Sequence, residues 1–294
     1  MIDSKPNDLR ALRTRLRGAL PTLPGTEALL HYLDGLPMPE RSEAGDLRVE
    51  VAVSADVQRI TLSATAPASQ LLTRTARFLA EADVTDAEMQ HFAKACDQLE
   101  PDRLGSWLEI GPQGIDGGWL MPGPLTLEAV RAFAPEGEPH EQLMAWASDH
   151  GIETCMMIKR SVGETAAYTE LLLPLPSGDA RTQLEAALAG FDAVGAVGLP
   201  QGFRDAVQRH ARGPMALSAW LVKDGLAKIG LMLTTPTTEL QMSLLEAAGQ
   251  ADAELDRFMA ELGEVVPQRM EIQELADGIE LELYFSLGAA EPTH

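Results

Sequence analysis

Between residues 268 and 287 the chain reads QRMEIQELADGIELELYFSL, two runs of alternating apolar and polar residues about Asp277-Gly278. Asp-Gly is a hairpin signal because glycine takes positive φ at no steric cost. The same build recurs upstream in MALSAWLVKDGLAKIGLMLT (215–234), turning at Asp224-Gly225, and in IETCMMIKRSVGETAAYTELLLPL (152–175), turning near Gly163. Weaker copies are SWLEIGPQGIDGGWLM (106–121) and LRVEVAVSADVQRITLSATA (47–66). Together they predict ten strands in five hairpins.

The intervals carry apolar residues at three-to-four spacing, the mark of helices with one buried stripe. Helices are expected over 8–20 and 26–36, over two segments within 70–97 with the second started by Thr85 and Asp86, over 140–151 ending on Gly151, and over 179–191 and 202–211. The segment 237–263 reads as one helix with Leu244, Ala248, Ala251, Leu255, Phe258 and Leu262 on its stripe and Gly263 as its C-cap. A helix-helix-strand-strand unit therefore repeats at roughly fifty to sixty residues.

Hairpins joined by helices share a core only as a continuous antiparallel sheet with the helices on one side. An open sheet of ten strands leaves two edges, and strand twist favours closure. The expected fold is α+β: a single domain over 1–294, a ten-stranded antiparallel barrel of five ααββ units with the helices outside. The apolar strand faces then turn outward, and the mixed polar faces line a lumen wide enough for a ligand. The competing arrangement is two flat sheets, each covered by helices on one face, with the polar faces wet.

Parity names the lumen residues, and a one-residue slip would exchange a strand's whole set. The fifth hairpin contributes Arg269, Glu271, Gln273, Glu280, Glu282, Tyr284 and Ser286; the fourth Ser218, Trp220, Lys228, Met232 and Thr234; the first Arg48, Glu50, Thr61, Ser63 and Thr65; the third Lys159, Tyr168 and Glu170. The second is too glycine-rich to assign. Arg48, Lys159, Lys228 and Arg269 could gather around an anionic group through charge-assisted contacts. Trp220, Tyr284 and Tyr168 offer flat walls. The glutamates either accept a proton, steer a cation or pair with those bases.

Composition narrows the partners. Forty-four Asp and Glu against 23 Lys and Arg give a net charge of −21, the wrong sign for a nucleic-acid backbone or an anionic membrane surface. No apolar run is long enough to span a bilayer and no secretory signal stands at the start, so a cytoplasmic protein is expected. Cys96 and Cys155 lack metal spacing and read as free thiols. There is no phosphate loop, HExxH or GxSxG, the glycine-rich stretch 111–118 reads as a turn, and the six histidines show no ligand spacing.

The element order along nearly the whole chain, from VEVAVSADVQRITLSATAP to GIELELYF, resembles that of the ABBA-type aromatic prenyltransferases. That resemblance implies an allylic diphosphate at one end of the lumen and an electron-rich aromatic acceptor at the other. It implies ionisation of the diphosphate to an allyl cation, attack by an aromatic carbon and loss of its proton. Carried over, Arg48, Lys159, Lys228 and Arg269 would hold diphosphate, with Ser63 beside them; Trp220, Tyr284 and Tyr168 would shield the cation; Glu50 or Glu282 would take the proton. Lys228 is the best-retained base of the pattern. Asp116, Gly117, Gly118 and Glu280 stand where lysines or a tyrosine would be looked for, and Thr61 stands near a metal-binding aspartate of some members, so no cofactor, magnesium included, is expected.

Three functions follow from these residues. One is a prenyltransferase acting on a small aromatic molecule or a peptide side chain. A second is a non-catalytic barrel that binds a small molecule or a partner protein, supported by the inward carboxylates. A third is an acidic, chaperone-like protein with open sheets.

Overall fold

The computed structural model describes residues 14, 17–19, 21, 46–54, 58–81, 85–111, 114–133, 137–162, 167–223, 225–249, 253–262, 267–276 and 278–286. Its strands are β1 (Asp46–Val53), β2 (Gln58–Pro67), β3 (Arg103–Gly111), β4 (Gly114–Thr126), β5 (Thr154–Ser161), β6 (Thr169–Pro174), β7 (Met215–Val222), β8 (Gly225–Leu233), β9 (Arg269–Leu275) and β10 (Gly278–Ser286). Between successive hairpins lie the helix pairs α1 (Ala68–Glu81) and α2 (Asp86–Leu99), α3 (Leu127–Phe133) and α4 (Glu138–Asp149), α5 (Ala180–Ala193) and α6 (Gln201–His210), and α7 (Thr238–Ala248) and α8 (Ala253–Leu262). Every neighbouring pair of strands is antiparallel, and β1 pairs with β10, so the sheet closes. Two flat sheets are thereby excluded.

The outward faces form one annular core with the helices. Val51, Ile60, Ile110, Ile158, Leu217, Leu231, Ile272 and Leu283 meet Phe92, Leu143, Phe191, Leu244 and Phe258 from the helix ring. Burying each such side chain is worth about 1.5–3 kcal/mol, which makes the choice of face, and hence the register, strongly specified. Caps start the helices where the sequence offers them. Thr85 accepts a bond from the Glu88 N–H at 3.3 Å, Asp179 from Thr182 at 2.8 Å and Thr237 from Leu240 at 3.2 Å.

Three features depart from expectation. The stretch 237–263 is two helices: α7 ends where Gly249 takes the left-handed conformation at φ 67°, and the apolar stripe resumes in α8. The short helix α3 completes a pair where the spacing predicts a helix over 140–151 alone. Thr234 lies just beyond β8 and donates to the Pro214 carbonyl at 2.6 Å. The helices expected over 8–20 and 26–36 fall largely outside the described residues, as do Gly163, Asp224, Asp277 and Gly263. Both cysteines are free, and burial pushes the Cys155 thiol up to about 12. Among the described residues no helix is long and apolar enough to cross a membrane.

Candidate binding site in the barrel lumen

Cross-strand partners share a face, so the ladder fixes which side chains turn inward. Glu50 stands opposite Thr61 and Ser286, Thr61 opposite Glu109, Glu109 opposite Asp116, Lys159 opposite Glu170, Glu170 opposite Trp220, Trp220 opposite Lys228, and Glu271 opposite Met232 and Glu282. The inward set thus includes Glu50, Ser63, Lys159, Tyr168, Glu170, Trp220, Lys228, Arg269, Glu282 and Tyr284. The Arg48 backbone lies opposite Ser63 in β1, and its side chain lies outside what the structure describes.

Among the lumen residues absent from the set that parity names, Arg59, Trp107 and Glu109 matter most to the site. Arg59 follows the parity of Thr61 one step nearer the turn, a signal available in the alternation of β2. Trp107 and Glu109 sit on β3, in the hairpin whose glycines defeat assignment. One of those glycines, Gly118, has a spatial reason. A Cβ on Gly118 would lie 1.9 Å from the Arg160 carbonyl oxygen and 3.2 Å from Trp107 Nε1, and the same indole N–H donates to that carbonyl at 3.1 Å. Gly118 makes room for Trp107 to lie across the strand.

One part of the lumen is an aromatic and cationic cluster. Tyr168 stacks on Trp220 with centroids 4.2 Å apart and planes 12° from parallel, and Trp107 stands 6.4 Å from Tyr168. Lys159 Nζ lies 4.0 Å from the Trp107 centroid and 5.6 Å from that of Trp220, while Lys228 Nζ lies 3.3 Å from Trp220. Two ammonium groups therefore share one indole, held by attraction to the ring quadrupole. Burial lowers the pKa of Lys228, and the nearby positive charge of Arg59 adds to the shift. Its one direct hydrogen-bond partner among the described residues is Gln273 Oε1 at 3.0 Å.

A carboxylate network occupies the adjoining space. Arg59 pairs with Glu282 and, at 3.5 Å, with Glu109, which also accepts from Thr61 at 3.0 Å. Glu282 further accepts from Gln273 at 2.9 Å and lies 2.6 Å from the Tyr284 hydroxyl, which is also 2.9 Å from Glu271. Ser218 donates to Glu271, and Gly230 permits this, since a Cβ there would collide with Glu271 Oε1. Arg269 pairs with Glu50 at 3.0 Å and covers the Tyr284 ring at 4.1 Å; Lys159 pairs with Glu170 at 3.6 Å.

Burial alone would raise the Glu282 pKa, but the Arg59 and Lys228 charges and the Tyr284 bond outweigh it and hold the carboxyl at about 2. Burial, together with Glu271 and Glu282, raises the Tyr284 pKa, so its phenol stays neutral and can donate. Glu271, Gln273 and Glu282 are each 1% exposed, which shows that side chains fill the lumen beside β9 and β10. Arg59, Thr61, Ser63, Thr65 and Glu109 on β2 and β3 retain accessible surface. Leu172, Ala216 and Met232, with Met157, make a second apolar patch on the inner wall.

No protein-family model matches the sequence. The chain is 25% identical over 255 residues to a PH domain-containing protein of Dictyostelium discoideum, a match covering 84% of this chain and 56% of that protein, so the chain spans little more than half its relative's length. Among solved structures it is similar to 6-dimethylallyltryptophan synthase from Micromonospora olivasterospora in complex with DMASPP and Trp (TM-score 0.63, 13% identity, 94% and 97% of the two chains). It is also similar to AnaPT from Neosartorya fischeri (0.65, 12%, 98% and 94%) and to 5-dimethylallyltryptophan synthase from Streptomyces coelicolor (0.58, 12%, 99% and 100%). The chain has the closed ten-stranded barrel of the ABBA-type prenyltransferases.

Proposed function

We propose that the barrel transfers a prenyl group from an allylic diphosphate to an aromatic acceptor. The observation that carries this reading is the sharing of the Trp220 face by Lys159 and Lys228 inside a closed lumen, with Arg59 close enough to bear on the charge of Lys228. A diphosphate drawing those cations toward itself would leave the indole and phenol faces of Trp107, Tyr168 and Trp220 free to shield the allyl cation formed beside them. Trp220 Nε1 is buried and has no partner among the described residues, so it supplies a further donor.

In this reading the allylic C–O bond breaks, diphosphate leaves with the electron pair, an aromatic carbon bonds to the cation, and the arenium proton departs. Glu50 suits the last step better than Glu282. Its side chain keeps 20% of its surface and is held by Arg269 alone among the described residues, whereas Glu282 is held on three sides and is a weak base. Arg269 and Tyr284 link the two carboxylates, and Ser63 stands beyond Glu50, level with Arg48. The similarity of the solved neighbours whose names specify dimethylallyl transfer supports the donor class.

A second reading has one observation in its favour: Arg59, Lys159 and Arg269 already pair with carboxylates, and a diphosphate must displace those partners. In that reading the barrel is a non-catalytic small-molecule binder or partner protein. Titration with dimethylallyl thiolodiphosphate separates the two. The transferase reading expects a rise of about 5 °C in melting temperature at saturation, lost in Lys159→Met/Lys228→Met. No shift at roughly millimolar ligand, with no product in a single-turnover assay, leaves only the binder.

A further inference from the structure

The cluster beside Trp107 holds more negative charge than its cations balance. Glu109 and Glu282 answer Arg59 and Glu170 answers Lys159, while Glu271 and Asp116 have only neutral donors among the described residues; Glu271 is 1% exposed, and Asp116 is the one of the two that keeps accessible surface. The Asp116 carboxylate accepts from Ser161 Oγ at 2.9 Å and from the Gly117 N–H at 2.7 Å, and among the described residues no cation pairs with it. A half-buried carboxylate satisfied only by neutral donors favours any positive charge that can reach it.

Tyr168 supplies an independent indication. The residue is only 8% exposed, and its hydroxyl keeps accessible surface and makes no hydrogen bond among the described residues. Burial and the surrounding charges of Glu109, Glu170 and Asp116 raise its pKa, so the phenol stays neutral and offers an acceptor lone pair. A ligand hydrogen bond would satisfy that hydroxyl. The tryptophans on either side show that this region accommodates ammonium groups, for they already hold two.

We propose that Asp116 and the Tyr168 hydroxyl form the recognition point for an organic ammonium, and that the acceptor bound in this lumen is an aryl-alkyl amine in its cationic form. That the amine accepts a prenyl group rests on the transferase reading above; binding of the ammonium does not. The ammonium donates to Asp116 and to the Tyr168 oxygen, and Glu109 and Glu170 add attraction from the neighbouring strands. A carboxylate-bearing aromatic of the same size meets repulsion at the same point.

Three near-isosteres test this on the full chain without any prenyl donor: tyramine (cation), tyrosol (neutral) and 4-hydroxyphenylacetate (anion), titrated calorimetrically. Tyramine is expected to bind about 10-fold or more tighter than tyrosol, with the acetate weakest. Asp116→Asn should erase the preference for tyramine and leave tyrosol unchanged. Tyr168→Phe, which keeps the stack on Trp220, should weaken tyramine alone and covers the case in which the Asp116 variant does not fold. Equal affinities for the three, no binding of tyramine at roughly 5 mM, or an unchanged preference in a folded Asp116→Asn protein would overturn the proposal. If the thiolodiphosphate binds and tyramine does not, this inference fails and the transferase reading stands; if tyramine binds and the thiolodiphosphate does not, the ammonium site stands and the transferase reading fails.

Discussion

Replacing Arg59 with methionine is expected to cost the fold about 3–5 kcal/mol at neutral pH, read as a lower urea midpoint with an unchanged slope. The guanidinium stands between two carboxylates from distant strands, Glu109 on β3 and Glu282 on β10. Removing it leaves Glu282, 1% exposed, facing Lys228 and two neutral donors. The acid limb reports the same contact. Glu282 titrates at about 2 in the folded protein against an ordinary 4.5, so the unfolded chain takes up the proton first as the pH falls. Its contribution is complete above pH 4.5, fades as the pH drops toward 2, and amounts to roughly 3 kcal/mol. In Arg59→Met the carboxyl titrates higher, and the stability gap between variant and parent should close below about pH 4. Adding Glu282→Leu should recover much of the loss at pH 7, because a buried pair replaced on both sides by apolar groups leaves no orphaned charge. A single variant as stable as the parent would show that the lumen is wet enough to solvate Glu282 without help.

The alternation in the strands makes the barrel legible, because its two faces differ so sharply. Ile279, Leu281, Leu283 and Phe285 permit one orientation, and the same parity puts Glu282 and Tyr284 in the lumen. Arg59 obeys the parity of β2 as well, but it stands nearest the turn, where alternation gives the weakest warrant for extending a strand. The second hairpin is opaque for a different reason. Its Gly118 is dictated by the Arg160 carbonyl of the adjoining strand and by the Trp107 indole, contacts of which sequence spacing carries no trace. The division of 237–263 into α7 and α8 is hidden similarly: Gly249 ends α7, yet the stripe keeps its phase beyond it, so periodicity alone reads straight through.

Pairing is equally invisible in the sequence. A set of inward bases and acids suits an anion site or a group of internal ion pairs, and only the geometry separates Arg59, Arg269 and Lys159, which hold carboxylates, from Lys228, whose direct partners are an amide and an indole. Lys228 is therefore the cation that a diphosphate can recruit with the least disruption. It must leave a ring face but no ion pair. Asp116 is its counterpart among the acids: Glu271 likewise lacks a cation among the described residues but is 1% exposed and closed off by Ser218 and Tyr284, whereas Asp116 keeps accessible surface, so the donor and acceptor ends of the proposed reaction fall to Lys228 and Asp116.

Gly118→Ala should be among the most damaging single substitutions in the barrel, lowering stability by about 3–5 kcal/mol or preventing accumulation of folded protein. The added methyl would fall 1.9 Å from the Arg160 carbonyl oxygen, a backbone atom of the adjoining strand, so a side-chain rotation cannot relieve it. Relief requires β4 and β5 to part, which turns the carbonyl away from the Trp107 indole it accepts from at 3.1 Å. Trp107 then loses its anchor against Tyr168, and its fluorescence should move to the red. Gly111→Ala is the control in the same hairpin, where a Cβ meets only the Arg59 side chain, Cγ at 3.5 Å, an ordinary contact, and a change within about 0.5 kcal/mol is expected. Trp107→Phe removes the ring nitrogen but not the carbonyl. If it rescues Gly118→Ala, the obstruction is the indole; if the double variant stays as unstable as the single, the backbone is the obstruction, and the narrow approach of β4 to β5 is what seats Trp107 where Lys159 can rest upon it.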